Sequence, residues 1–208
     1  MLIDAGQAMA FLSVAILLTL APGPDNLMVL SISLAQGRKA GMAFALGCAC
    51  GCFSHTLVAT LGIGALLAAE PPAFFLVKLA GGIYLLWLGF RILHRSGAFS
   101  MEPGLHGKHG LKSLFVSGLF ANALNPKVML FFLALLPQFV QSGRGPAAIQ
   151  MLQFGLIFTI QAIVLFGVLG YYAGKAGGWL ARRPEAGLWM GYLAGAILIL
   201  LGLRLVLE

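Results

Sequence analysis

Leu20-Ala-Pro-Gly-Pro-Asp-Asn26 lies inside the first long apolar run of the chain, with Ala8–Leu20 before it and Leu27–Ala35 after it. Two prolines and a glycine cannot continue a regular helix, because each proline lacks an amide donor and its ring clashes with the preceding turn. Asp25 then adds a carboxylate. In water such a stretch would be an ordinary turn. Inside a membrane span it leaves backbone groups unpaired and buries a charge, and both are costly in hydrocarbon. A defect of that cost is expected to be kept for function.

Composition places the stretch in a membrane. Of 208 residues, 60% are hydrophobic and only 9% are charged, which excludes a soluble globular domain. A span takes about 20 mainly apolar residues, which leaves room for about six spans with short connections. Apolar runs and breakers delimit six helices: Gln7–Ala35, Gly41–Ala69, Ala73–His94, Leu111–Phe139, Pro146–Gly174 and Ala186–Val206. Gln36-Gly-Arg-Lys39, Glu70-Pro-Pro72, Ser96–Lys108, Gln141–Gly145 and Lys175–Glu185 connect them.

The formal charge of +7 is not a nucleic-acid footprint, because the positive residues lie between apolar runs. Arg38, Lys39, Arg91, Arg95, Lys108, Lys112, Lys175, Arg182 and Arg183 cluster about the first, third and fifth connections, whereas only Arg144 and Arg204 fall on the other side. The positive-inside rule then predicts odd-numbered loops in the cytoplasm and both termini outside. The start Met-Leu-Ile-Asp has no basic segment, so no cleaved signal peptide is expected. Three cysteines crowded into one apolar run do not suggest a disulfide framework.

The chain reads as two halves, approximately 1–95 and 111–208, of a single transmembrane domain, joined by a cytoplasmic loop over 96–110. Leu20-Ala-Pro-Gly-Pro-Asp25 matches Asn122-Ala-Leu-Asn-Pro-Lys127, each a proline-broken turn followed at once by a charge. Gly82, Leu85, Leu88, Gly89 and Arg91 recur as Gly195, Leu198, Leu201, Gly202 and Arg204. The two offsets are 102 and 113 residues, a difference that loop insertions accommodate. Three helices per half is an odd number, so the halves must be inverted relative to one another. The expected fold is therefore an all-α polytopic membrane protein: six transmembrane helices as two inverted three-helix repeats, with proline-broken helices one and four. Paired broken helices in inverted repeats point to a secondary transporter with its site at the repeat interface.

Asp25 and Lys127 occupy equivalent places in the halves, both well inside apolar runs. Burying either alone costs about 3 kcal/mol or more, so partners are expected. One reading is a static clamp between helices one and four. The other is a binding site: a proline break frees amides on one half-helix and carbonyls on the other, which suit the carboxylate and ammonium of a zwitterion. Lys127 would hold a substrate carboxylate, and Asp25 a substrate amine or a proton. Asn26, Asn122 and Asn125 lie at the same level, either as ligand contacts or as caps of the half-helices.

Pro22-Gly-Pro-Asp25, Asn125-Pro-Lys127 and Lys78-Leu-Ala-Gly-Gly-Ile-Tyr-Leu-Leu-Trp-Leu-Gly89 together resemble the lysine exporter and homoserine/threonine resistance (LysE/RhtB) family, over essentially the whole chain. The resemblance implies a multi-pass bacterial inner-membrane protein that exports amino acids, generally in exchange for protons. It implies no cofactor, with the proton gradient as energy source. It also implies a transport site at the two broken turns, Pro22, Gly23, Pro24 and Asp25 in one and Asn125, Pro126 and Lys127 in the other, beside which Asn26 and Asn122 are the candidates read from the residues themselves. The implied partners are an amino acid, protons and lipid; exposed glycine faces additionally suggest a homodimer.

Cys48, Cys52 and His55 share one face of the second helix at i, i+4 and i+7. They raise a competing function, a metal-ion or thiol-redox membrane carrier, since thiolate and imidazole suit soft metals. Close helix packing by small cysteines is the favoured explanation, and no metal site is expected. His55 is a candidate for a pathway or proton-relay role, because an imidazole in a span needs a partner. Gln153 and Gln161, eight residues apart on the fifth helix, are further pathway candidates or interhelical bonds. The spans hold no Ser/His/Asp set, paired carboxylates or metalloprotease motif, so no enzyme is expected.

Overall fold

The computed structural model describes residues 2–21, 23–68, 71–94, 109–141, 143–182 and 184–207. Expectations for Pro22, Glu70, Arg95, Arg183 and the connection 96–108 lie outside these residues, as do those for the side chains of Lys78, Lys175 and Arg182. Among the described residues the regular structure is helical: α1 (Ala5–Leu20), α2 (Pro24–Gln36), α3 (Arg38–Ala68), α4 (Pro71–His94), α5 (Leu111–Ala123), α6 (Pro126–Ala134), a 3₁₀ turn (Leu136–Phe139), α7 (Ala147–Arg182) and α8 (Pro184–Leu207).

Proline places both breaks. Pro24 has no amide for the Leu20 carbonyl, and it opens α2 at the first helical position, where its fixed φ suits a helix start. Pro126 withholds its amide from Asn122 in the same way and opens α6 behind an Asn125 cap. The chain bends by 54° between α1 and α2 and by 50° between α5 and α6. Among the described residues α3 and α7 are each long and apolar enough to cross a membrane, and the two bent pairs, each taken as one span, bring the count to four. Gly37 ends α2 with φ 90°, a left-handed geometry in which a side chain would be strained.

Two boundaries differ from expectation by more than one helical turn. α7 runs on to Arg182 through most of the expected fifth connection, because no proline interrupts it before Pro184. α6 stops at Ala134 instead of reaching Phe139, because Pro137 has no amide for the Leu133 carbonyl and the chain tightens into 3₁₀.

Small residues set the packing. α3 lies between α5 and α7. It runs parallel to α5, with Gly47 against Phe115 and Gly51 against Leu119 and Asn122, and antiparallel to α7, with Thr56 against Gly155 and Met42 against Gly170. α4 and α8 form a second, antiparallel seam. A methyl on Gly82 would stand 3.1 Å from the Gly202 carbonyl oxygen, and one on Gly89 would stand 2.7 Å from that of Gly195. The offset of 113 residues carries Gly82 to Gly195 and Gly89 to Gly202, so it exchanges the two contacts. Leu85 and its counterpart Leu198 are both fully buried.

Phe11 of α1 packs on Phe154 of α7 at 4.8 Å between ring centroids, and Phe132 of α6 packs on Phe158 of α7 at the same separation. These rings fill the space on one side of the breaks. At the N-terminus Asp4 and Gln7 form a capping box, Gln7 donates to the Phe139 carbonyl, and Asp4 pairs with Arg144 at 2.9 Å.

Candidate functional site

The two breaks meet at the centre of the bundle. The first turn of α2 (Gly23, Asp25, Asn26) and the first turn of α6 (Asn125, Lys127, Val128) line one small cavity. Leu18 and Thr19 of α1, Asn122 of α5, Cys52 of α3 and Phe158 and Phe166 of α7 complete the wall. The cavity offers about 10 Å³ to the centre of a water-sized sphere, room for about one water.

Asp25 and Lys127 are both buried, at 4% and 5% exposure. They do not touch each other: among the described residues no ion pair within 4.0 Å joins them. Each instead reaches into the opposite half. Asn122 Nδ2 donates to Asp25 Oδ2 at 2.7 Å, and Lys127 Nζ donates to the Ala21 carbonyl at 2.8 Å. Asp25 sits in the first turn of α2, where the dipole favours an anion; the ammonium of Lys127 sits at the carbonyl end of α1, where it favours a cation. A direct clamp between the charges is thus replaced by two crossed contacts, each with an uncharged partner.

The three asparagines serve the broken backbone and the charges together. Asn26 Nδ2 donates to the Thr19 carbonyl at 3.0 Å, Asn125 Oδ1 accepts the Lys127 amide at 3.0 Å, and Asn122 holds Asp25. Among the described residues the buried Oδ1 of Asn122 has no partner, an acceptor left open beside the carboxylate.

Gly23 lies in extended backbone, and a methyl there would stand 3.0 Å from Lys127 Nζ. Because that neighbour is the end of a flexible side chain, Gly23→Ala is expected to leave thermal unfolding within about 1 kcal/mol of wild type. It should displace the ammonium and raise the half-saturating substrate concentration in vesicle flux about fivefold or more.

Of the outlying candidates, His55 stands behind the wall, with Nε2 2.9 Å from the Asn122 carbonyl oxygen. Gln161 Nε2 donates to Thr19 Oγ1 at 2.9 Å, which ties α7 to the last turn of α1. Gln153, two turns before Gln161, is not part of the cavity wall, and its Oε1 is buried with no partner among the described residues. Cys48 and Cys52 are buried in the core, and Cys52 Sγ donates to the Cys48 carbonyl at 3.5 Å. Among the described residues no three His, Cys, Asp or Glu side chains converge as a metal set.

The wall also contains residues that sequence reasoning passed over. Thr19 carried a signal, as the last polar residue before the break. Phe158 and Phe166 carried none, since an aromatic in a span reads as core.

Comparison with known proteins bears on the same breaks. The family model for LysE type translocators matches residues 16–208. An uncharacterized membrane protein of Vibrio cholerae is 31% identical, covering 95% of each chain. The homoserine/homoserine lactone efflux protein of Salmonella typhimurium is 28% identical, covering 93% of this chain and 92% of its own. The threonine efflux protein of Escherichia coli is 27% identical, covering 96% of this chain and 98% of its own. No solved structure matches the chain at a significant level. The matched segment includes both proline breaks and the charge that follows each, Asp25 and Lys127, and the chain belongs to the family of LysE type translocators, which are transporters and not enzymes.

Proposed function

We propose that this protein is a secondary transporter that exports a small amino acid, or a close derivative, from the cytoplasm across the bacterial inner membrane in exchange for protons. The reciprocal reach of two buried charges across paired helix breaks carries this reading. It brings an anion, a cation, half-helix amides and an open amide oxygen to one cavity, the complement of a zwitterion. The efflux functions named for the two Salmonella and Escherichia relatives support the substrate class.

In this reading a substrate carboxylate draws Lys127 away from the Ala21 carbonyl and rests against the first turns of α2 and α6. The substrate ammonium takes Asp25 and the open Oδ1 of Asn122. Protonation of Asp25 releases the ammonium on the outer side and brings the proton inward. A cavity with room for about one water admits no amino acid, so binding requires the broken helices to move. Two inverted three-helix halves that rock about the site supply that movement by alternating access. The exchange of the α4–α8 glycine contacts under the repeat offset supports such halves. With the positive loops in the cytoplasm, both termini lie outside.

Counterflow in proteoliposomes, with a panel of radiolabelled amino acids and imposed pH gradients, tests the proposal. Uptake of a small amino acid that depends on trapped substrate and responds to the gradient is the expected result. Flux indifferent to every pH gradient would remove proton coupling, and no flux of any amino acid would remove the substrate class.

A further inference from the structure

The break between α5 and α6 leaves a specific debt in its backbone. In a continuous helix the Asn122 carbonyl would accept the amide of residue 126, and Pro126 has none. Two donors take its place. The Asn125 amide turns back to it at 2.8 Å, and His55 Nε2 reaches it at 2.9 Å from α3, 67 residues away in sequence. A carbonyl oxygen only accepts, so Nε2 must carry the hydrogen and the imidazole is held in one tautomer. His55 is 3% exposed and lies against Phe132 at 5.8 Å between ring centroids.

The residue that receives this bond also aims the site. Asn122 takes His55 through its backbone and gives its side-chain Nδ2 to Asp25 at 2.7 Å. The connection between imidazole and carboxylate therefore runs through a peptide carbonyl and a carboxamide nitrogen, groups that do not relay protons as an imidazole or a hydroxyl does. The first break is served differently. There the carbonyls freed in α1 accept from Asn26 and Lys127, both of which line the cavity. One break is pinned from a scaffold helix, and the other is held by groups that a ligand can take.

We propose that His55 is a positioning residue for transport: it supplies from α3 the donor that Pro126 withholds, fixes Asn122, and so points the Asn122 amide at Asp25. The role is that of a fixed hydrogen-bond donor and not of a proton carrier. It rests on the reading that Asp25 belongs to the transport site.

Glutamine can place an amide N–H where the imidazole Nε2–H lies, and leucine cannot. Flux of radiolabelled L-threonine and L-homoserine into proteoliposomes is expected to fall about tenfold or more in His55→Leu and to stay within about threefold of wild type in His55→Gln, with an unchanged pH profile. Nitrogen-15 spectra of histidine-labelled wild-type protein in bilayers should show His55 protonated at Nε2. Wild-type flux in His55→Leu would overturn the proposal, as would a His55→Gln variant as slow as His55→Leu, or an imidazole protonated at Nδ1 alone. The spectrum needs no transport. Should the wild type move no amino acid of the counterflow panel while His55 still shows Nε2–H, the transport reading fails and the hydrogen bond stands.

Discussion

Asp25→Asn should abolish amino-acid counterflow, by about a hundredfold or more, and Lys127→Met should do the same. Each variant strips one charge from a buried, hydrogen-bonded set, a loss of about 2–5 kcal/mol when a partner group remains behind. In Asp25→Asn the bond from Asn122 loses its ionic acceptor, and the Lys127 ammonium keeps its carbonyl but loses the nearby anion that offsets its burial. In Lys127→Met the Ala21 carbonyl loses its donor. Both single variants should therefore unfold at lower temperature in detergent. The double variant, Asp25→Asn with Lys127→Met, separates a site from a clamp. With both charges gone the buried field is balanced again, and thermal stability should recover most of what either single change lost. Counterflow should stay lost. Were the two residues only a structural device, transport would return together with stability.

Gly118→Leu is the substitution expected to damage the fold most. A side chain at Gly118 would meet the Phe44 carbonyl and would lie 3.0 Å from the Cys48 amide, both backbone atoms of α3 that cannot swing aside. α5 would have to leave α3, which carries Cys52 into the cavity wall and His55 behind it. A cost of about 3 kcal/mol or more is expected, and size-exclusion of the solubilised protein should show little folded material. Gly62→Ala is the matched control on α3. Among the described residues nothing lies within 4 Å of a methyl there, and replacing glycine inside a helix should raise stability by about 0.5–1 kcal/mol. A loss of folded protein in both variants would mean that close approach is not what Gly118 provides.

The breaks were legible because proline speaks through its own backbone. A missing amide at Pro24 and Pro126 ends a helix wherever the residue is placed, so Asp25 and Lys127 could be located on half-helix starts from the sequence alone. Their partners were less legible. Opposite charges in matching positions suggest contact with each other, yet each is satisfied across the bundle by an uncharged group, and only the packing of α1–α2 against α5–α6 decides that. The cavity wall shows the same limit. Cys52 read as a packing residue or a metal ligand, and Phe158 and Phe166 have no chemical mark that separates a wall from a core. The end of α7 was missed for the opposite reason: charged residues and glycines between Gly174 and Arg182 look like a loop, while a long helix tolerates them until a proline stops it.

The seam between α4 and α8 has a thermodynamic consequence. Its contacts, Gly82 with Gly202 and Gly89 with Gly195, are images of one another under exchange of the halves. If the two halves trade conformations during a cycle, the seam before the exchange and the seam after it contain the same pairs. It then contributes equally to the inward-open and outward-open states and biases neither. Such a joint holds the protein in neither state, so the resting ratio of the two is left to the contacts that the exchange does not preserve, those of the broken helices and their charges among them.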